Sequence, residues 1–161
     1  KIGLKLCFGQ SEAAGGGVLP PAGGERAGAL VEAAGARHDH RFGLTELSSR
    51  AGTWRLTRLD APVGARVRLR VRARDVMLAT SPPADISALN VFSGAVSDIA
   101  TGDGTADIRI DCNGETLIAR LTRYSAERLA LAPGTQVYAY IKSVSLDRGT
   151  LSGPLSTIAD T

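Results

Sequence analysis

The chain has 161 residues, of which 43% are hydrophobic, and a formal net charge of +3 at pH 7. This composition excludes a chain that is disordered throughout, and no apolar run approaches the ~18 residues of a membrane-spanning helix. The two cysteines, Cys7 and Cys112, lack the spacing of a zinc site or a disulfide framework, which favours a reducing compartment.

The first part of the chain predicts a tail followed by strands. Residues 1–8 alternate like a short strand, and residues 9–26 are rich in Gly, Ala, Pro and Glu; residues 1–26 are predicted to be a linker or a disordered tail. Beyond them, residues 29–38 form a strand, and residues 44–49 and 53–59 form a hairpin. Residues 66–79 give the strongest strand prediction of the chain.

The second part of the chain predicts a similar series of strands with one helix. The predicted strands cover residues 92–99, 106–112, 116–121 and 136–146. Asn113-Gly114 is the strongest hairpin signal, because both residues tolerate the positive φ of a tight turn. One short helix is expected at residues 125–131, with Ser125 as its N-cap and Pro133-Gly134 after its end.

These two parts are copies of one unit. Residues 62–73 align with residues 132–143, so that Arg72 corresponds to Lys142, and Gly28–Glu32 aligns with Gly94–Asp98. The offset of about 62 to 70 residues suits a small β-barrel better than a solenoid repeat.

The repeat therefore predicts an all-β fold: two tandem OB-like five-stranded β-barrels with one short helix. The first barrel would span residues 27–82 and the second, which carries the helix, residues 83–148. Residues 149–161 would form a C-terminal tail.

In both copies the last long strand changes its apolar phase, near residues 72–75 and 142–144. A β-bulge would absorb the extra residue and turn backbone N–H groups outward. Beside Arg72 and Lys142, such groups could bind a small anion. A bulge that only lets the strand coil around its barrel fits the pattern equally well.

Two motifs identify a family. Ser87-Ala88-Leu89-Asn90-Val91, followed by Ile141-Lys142-Ser143, resembles the Mop or molbindin domain, a TOBE-type domain that opens with Ser-Ala-Arg-Asn and closes with Lys-Ala-Ser/Thr. Residues 38–45 and 72–79 resemble the C-terminal regulatory region of the ATP-binding subunit of molybdate ABC importers. The resemblance implies OB-like barrels that bind molybdate or tungstate at barrel interfaces within an oligomer.

The resemblance also implies a binding site. The implied oxyanion-binding residues are Ser87, Ala88, Leu89, Asn90, Thr122, Lys142 and Ser143. Molybdate has four acceptor oxygens and no donor, so N–H groups, hydroxyls and a cation suit it. Leu89 stands where the family has arginine, which removes one cation. Without the resemblance, Lys142 is read as a solvated residue on the rim of a barrel.

Other charged residues have two interpretations each. Arginines at every second position from Arg66 to Arg74 fit an acidic partner, a nucleic-acid backbone or simply the solvated face of a strand. His38 and His40 could bind a metal, but without a third ligand in view a turn role is the better interpretation, and no metal site is predicted.

No catalysis and no cofactor are predicted, because the sequence has no Gly-x4-Gly-Lys phosphate loop and no nucleophile elbow. The expected function is an intracellular molybdate- or tungstate-binding regulatory module of a molybdate ABC importer. It would act in the cytoplasm as a homo-oligomer, at the inner face of the membrane, with the importer ATPase and membrane subunits as partners. The alternatives are a free-standing molbindin that stores molybdate and an OB-type nucleic-acid binder, which an aromatic content of 4% disfavours.

Overall fold

The computed structural model describes residues 27–147, so the predicted tails lie outside the described residues. The β-strands are β1 (Gly28–Asp39), β2 (Leu44–Ser49), β3 (Gly52–Thr57), β4 (Arg66–Arg72), β5 (Val76–Ala79), β6 (Asn90–Thr101), β7 (Thr105–Cys112), β8 (Glu115–Thr122), β9 (Gln136–Ile141) and β10 (Ser145–Leu146). The helix α1 covers Arg123–Arg128, and a 3-10 turn covers Ala73–Asp75. No helix in the described range combines the length and the apolar character of a membrane span.

The ten strands form two five-stranded antiparallel sheets. Their strand orders are β10-β4-β1-β2-β3 and β5-β9-β6-β7-β8. In each sheet a twelve-residue strand, β1 or β6, pairs along its first half with the closing strand and along its second half with the next strand. This curled pairing confirms the predicted all-β fold of two tandem OB-like units with one short helix.

Each sheet receives one strand from the other repeat. β5 follows the first repeat in sequence but pairs with β9, with Val76 opposite Ile141. β10 follows β9 but pairs with β4, with Ser145 opposite Arg70. The boundaries of the two barrels in sequence stay a prediction, and hydrogen-bonded sheets cross them.

The phase change in each closing strand has a different cause from the predicted bulge. In the first repeat the 3-10 turn Ala73–Asp75 carries the chain from β4 in one sheet to β5 in the other. In the second repeat residues 142–144 make the same crossing between β9 and β10. The apolar phase changes because the two strands pack on the core from different sheets, so the prediction of a bulge inside one strand was wrong.

The sheet register also corrects part of the repeat alignment. Ala29 lies opposite Val71 in the first sheet, and Asn90 lies opposite Ile141 in the second. Because Val71 aligns with Ile141, Ala29 is the counterpart of Asn90. Gly28 therefore corresponds to position 89 and not, as predicted, to Gly94. Small residues in both segments produced the false match.

Local turn chemistry explains the turns of the second barrel. Asn113 and Gly114 have φ values of 55° and 85°, as a tight hairpin turn with two left-handed residues requires. Helix α1 begins earlier than predicted, because its N-cap is Thr122 and not Ser125. The Thr122 Oγ1 accepts a hydrogen bond of 3.1 Å from the Ser125 N–H.

One large apolar cluster joins the two sheets. Trp54 of β3 is fully buried, and its ring packs on Phe92 of β6 with a centroid distance of 4.4 Å. The Trp54 Nε1–H donates to the Ser49 hydroxyl at 2.9 Å, so its polar atom is satisfied inside the core. The two repeats are therefore packed against each other through large side chains.

The buried thiol of Cys112 makes the folded protein lose stability at alkaline pH. Burial first, and then the Asp111 and Glu115 carboxylates, raise the pKa of this thiol from 9.0 to about 12. Because the folded pKa exceeds the unfolded one, the contribution to stability is complete below pH 9 and is lost as the pH rises toward about 12. Two variants are compared, Cys7→Ser and Cys7→Ser with Cys112→Ala. We expect the unfolding free energy of Cys7→Ser, which keeps Cys112, to fall more steeply as the pH rises through this range than that of the double variant. Urea denaturation at several pH values measures both slopes, and equal slopes would contradict this assignment.

Candidate functional site

The structure brings the two motif segments of the second barrel together. Asn90 is the first residue of β6 and lies opposite Ile141, the last residue of β9. Residues 87–89, which precede β6, and residues 142–143, which follow β9, therefore leave the same end of this strand pair. Two segments about fifty residues apart in sequence meet where the chain crosses between the sheets.

Most of these side chains reach solvent. Ser87, Leu89, Lys142 and Ser143 are exposed, and Ala88 is half-buried. Lys142 forms no ion pair with any residue in the described range 27–147. Its charge is therefore not neutralised within this part of the chain and is available to an anionic ligand.

Asn90 differs from the other motif residues because it is buried, with 4% of its surface exposed. Its Oδ1 accepts a hydrogen bond of 2.7 Å from the Arg55 N–H, and its Nδ2 donates one of 2.9 Å to the Arg55 carbonyl. Arg55 belongs to β3 of the other sheet. The side chain of Asn90 thus bonds to the first barrel and does not face solvent.

Thr122 lies apart from this group within one chain. It ends β8 opposite Thr105, the first residue of β7, and β7 begins beside the end of β6 at Thr101. The whole twelve-residue strand β6 separates this point from Asn90. The Thr122 hydroxyl also donates a hydrogen bond of 2.8 Å to the Ser125 hydroxyl, in addition to capping α1.

The corresponding crossing in the first barrel is closed by apolar packing. Ala27 and Ala73 are buried and pack with Ile118 of β8. The Ala73 N–H donates to the Ala27 carbonyl at 2.9 Å. Ala73 aligns with Ser143, which is exposed. At this position of the first barrel the backbone N–H is therefore hydrogen-bonded within the protein.

The arginine row of β4 lies on the outer face of its sheet. Val67, Leu69 and Val71 are buried, while the arginines between them are exposed or half-buried. One of these, Arg68, pairs with Glu32 of β1 at 3.5 Å. The alternation places the row in solvent, and binding of an acidic partner there stays a hypothesis.

The His38 ring lies between two neighbouring segments. Its Nδ1 is 3.0 Å from the Thr45 Oγ1, and its Nε2 is 2.9 Å from the Ala61 carbonyl. Both ring nitrogens therefore have protein partners, which supports the interpretation of this histidine as a structural residue near a turn.

The sequence did not reveal the bond between Asn90 and Arg55. The available signal was a polar residue immediately before the apolar Val91-Phe92, a position where a buried amide needs partners. Its partner could not be read from the sequence, because every residue has the same backbone N–H and carbonyl groups.

Three comparisons place the chain among known proteins. A family model described as the TOBE domain matches residues 86–147. The molybdenum import ATP-binding protein ModC of Mesorhizobium japonicum is 43% identical over 144 residues, which are 89% of this chain and 39% of that protein. ModC 1 of Azotobacter vinelandii is 41% identical over 130 residues, covering 80% of this chain and 36% of that protein. The chain thus spans less than half the length of these curated relatives.

A solved structure shows the same fold. The cytoplasmic molybdate-binding protein ModG, crystallised with molybdate bound, superposes with a TM-score of 0.63 at 24% sequence identity. The match covers 73% of this chain and 93% of ModG. The family match includes both motif segments, Ser87–Asn90 and Lys142–Ser143, and confirms the resemblance found in the sequence. Residues 86–147 of this chain therefore match the TOBE domain family.

Proposed function

We propose that this chain is the molybdate- or tungstate-binding regulatory module of a molybdate importer. One observation carries the proposal: residues 87–90 and 142–143 of a TOBE domain leave the same end of β6 and β9, and the exposed Lys142 forms no ion pair with residues 27–147. The names of the relatives, molybdenum import ATP-binding proteins, supply the ligand and the transporter.

The chemistry of this group of residues suits a tetrahedral dianion. Lys142 would supply positive charge, and the Ser87 and Ser143 hydroxyls would donate hydrogen bonds. Backbone N–H groups of Ala88, Leu89 and Asn90 would complete the donor set. Leu89 contributes no side-chain cation, so the ligand would depend more strongly on Lys142.

A second copy of the chain would complete the site. Within one chain the motif residues are exposed, whereas an oxyanion held against water requires donors on several sides. The exposed apolar side chains of Leu89 in the motif and of Ile86 just before it suit a protein interface. The hydroxyl of Thr122, remote from Lys142 in its own chain, would reach the ligand only from such a copy.

The module would sense the oxyanion without catalysis. Bound ligand would stabilise one arrangement of the paired barrels, which requires a difference in affinity between the two arrangements. In the cytoplasm, at the inner face of the membrane, that arrangement would report the supply of molybdate to the importer's ATPase and membrane subunits.

Calorimetry on the purified chain tests the proposal. We expect saturable heats with molybdate and tungstate and no comparable heat with a short single-stranded DNA. Heat with the DNA would instead indicate an OB-type nucleic-acid binder. Sulfate, a tetrahedral dianion of smaller size, measures selectivity. The absence of heat with all three anions would reject the proposal.

A storage role is the second candidate, and one observation favours it. The fold match covers 93% of ModG, a molybdate-binding protein in its own right. An ATPase domain encoded in frame directly upstream of this sequence would decide for the regulatory module, and a separate gene would decide for storage.

A further inference from the structure

We infer that Asn90 is a positioning residue for the oxyanion site, and that its side-chain amide fastens the start of β6 to the first barrel. Because this inference rests on the proposed function, its experiment separates failure of one from failure of the other. The role differs from direct binding: the amide holds the segment that binds and does not itself face the ligand.

The geometry resembles a backbone pair in a sheet. The Asn90 amide accepts from the N–H and donates to the carbonyl of the same residue, Arg55, at 2.7 and 2.9 Å. Arg55 lies on β3, the edge strand of its sheet, so the side chain occupies hydrogen-bonding groups that a further strand would otherwise use. Two bonds in opposite directions fix both the position and the orientation of Asn90.

The contact lies next to both halves of the proposed site. Leu89 precedes Asn90 in the chain, and Lys142 follows Ile141, the residue opposite Asn90 in the register. A displacement of the start of β6 would therefore shift residues 87–89 relative to Lys142. Donors aimed at a small anion lose strength when their geometry is disturbed.

The first barrel shows that the fold does not require this amide. Ala29 is the counterpart of Asn90. The same register makes Thr53 of β3 equivalent to Thr116 of β8. Two residues further along each strand, Arg55 is therefore equivalent to Ile118. At that place the first barrel uses apolar packing around Ile118, and its sheet forms with the same pairing. The buried amide occurs where the motif residues are.

The first experiment compares two asparagines that bridge the same two sheets. Asn113 Nδ2 donates to the Arg50 carbonyl at 2.9 Å, at the tip of the same hairpin. Asn113→Gly removes this bond and keeps the positive φ of the turn. Removing groups that orient metal ligands costs about 10- to 100-fold in affinity. We accordingly expect Asn90→Ala to weaken molybdate binding about tenfold in calorimetry, and Asn113→Gly to change it by less than about twofold.

Hydrogen exchange of the unaltered chain gives a second test, which holds even if Asn90→Ala does not fold. Coupling is reciprocal, so molybdate should slow exchange of the Arg55 N–H, which donates to Asn90. The Ala51 N–H, which donates to Glu115 across the same two sheets at 3.3 Å, should change much less.

Each outcome decides the inference. Equal affinities of Asn90→Ala and the unaltered chain, equal losses in both asparagine variants, or equal slowing of both amides would overturn the positioning role. No molybdate binding by the unaltered chain would instead reject the proposed function itself, and the inference with it.

Discussion

Replacing Lys142 with alanine should weaken molybdate binding by about 10- to 100-fold, the range expected for loss of a charge-assisted hydrogen bond to a dianion. The ammonium group makes no ion pair within the described residues, so its charge is free to act on a ligand. If the resemblance to the family holds at position 89, Leu89 replaces its arginine, and binding would depend on Lys142 as the one side-chain cation of the proposed site. Calorimetric titration of Lys142→Ala with molybdate measures the loss.

Two variants control for the nature of the effect. Lys142→Arg keeps the charge and should retain binding within about tenfold, because arginine also donates to oxyanions but with a different geometry. Arg66→Ala removes an exposed cation from the far end of β4 and should leave the affinity unchanged. Unchanged affinity in Lys142→Ala would exclude this residue from the site, and an equal loss in Arg66→Ala would assign the effect to net charge.

Replacing Trp54 with alanine should destabilise the protein by about 3–5 kcal/mol, the range for truncating a fully buried aromatic residue. Its ring is inaccessible to solvent and packs on Phe92 of the other sheet at 4.4 Å, so its loss opens a cavity between the two repeats. The Ser49 hydroxyl would also lose the Nε1–H donor at 2.9 Å. Urea denaturation followed by circular dichroism measures the change.

Trp54→Phe provides the matched control. It keeps a ring against Phe92 and loses the bond to Ser49 with part of the volume, so we expect a smaller destabilisation than in Trp54→Ala. A loss below about 1 kcal/mol for Trp54→Ala, well under the usual cost of such a truncation, would show that this contact does not hold the repeats together.

The fold could be predicted from sequence as far as local patterns determine it. Alternating apolar residues located the strands, and the Asn113-Gly114 turn and the β2–β3 hairpin lie where the sequence placed them. The exchange of β5 and β10 could not be predicted, because a strand that changes sheet and a strand that contains a bulge both show a shift of apolar phase. Only the partner distinguishes them, and that partner is far away in sequence.

The grouping of the candidate site residues could be predicted in part, and their contact with a ligand stays a prediction. The motifs identified residues 87–90 and 142–143, and the register of β6 with β9 places them at one end of a strand pair. The bond from Asn90 to the Arg55 backbone has no counterpart in a motif, since it depends on packing between the repeats. The sequence could not show that the Thr122 hydroxyl caps α1. Nor could it show that the whole length of β6 separates Thr122 from Asn90.

The reciprocal pairing of β5 with β9 and of β10 with β4 makes the tandem halves interdependent as building blocks. A polypeptide cut after residue 82 would carry a strand whose partner lies in the other fragment, and the other fragment would carry the converse. Neither piece would be self-sufficient, yet the two together would contain every strand. The two repeats therefore depend on each other for a complete sheet and are not two separable modules.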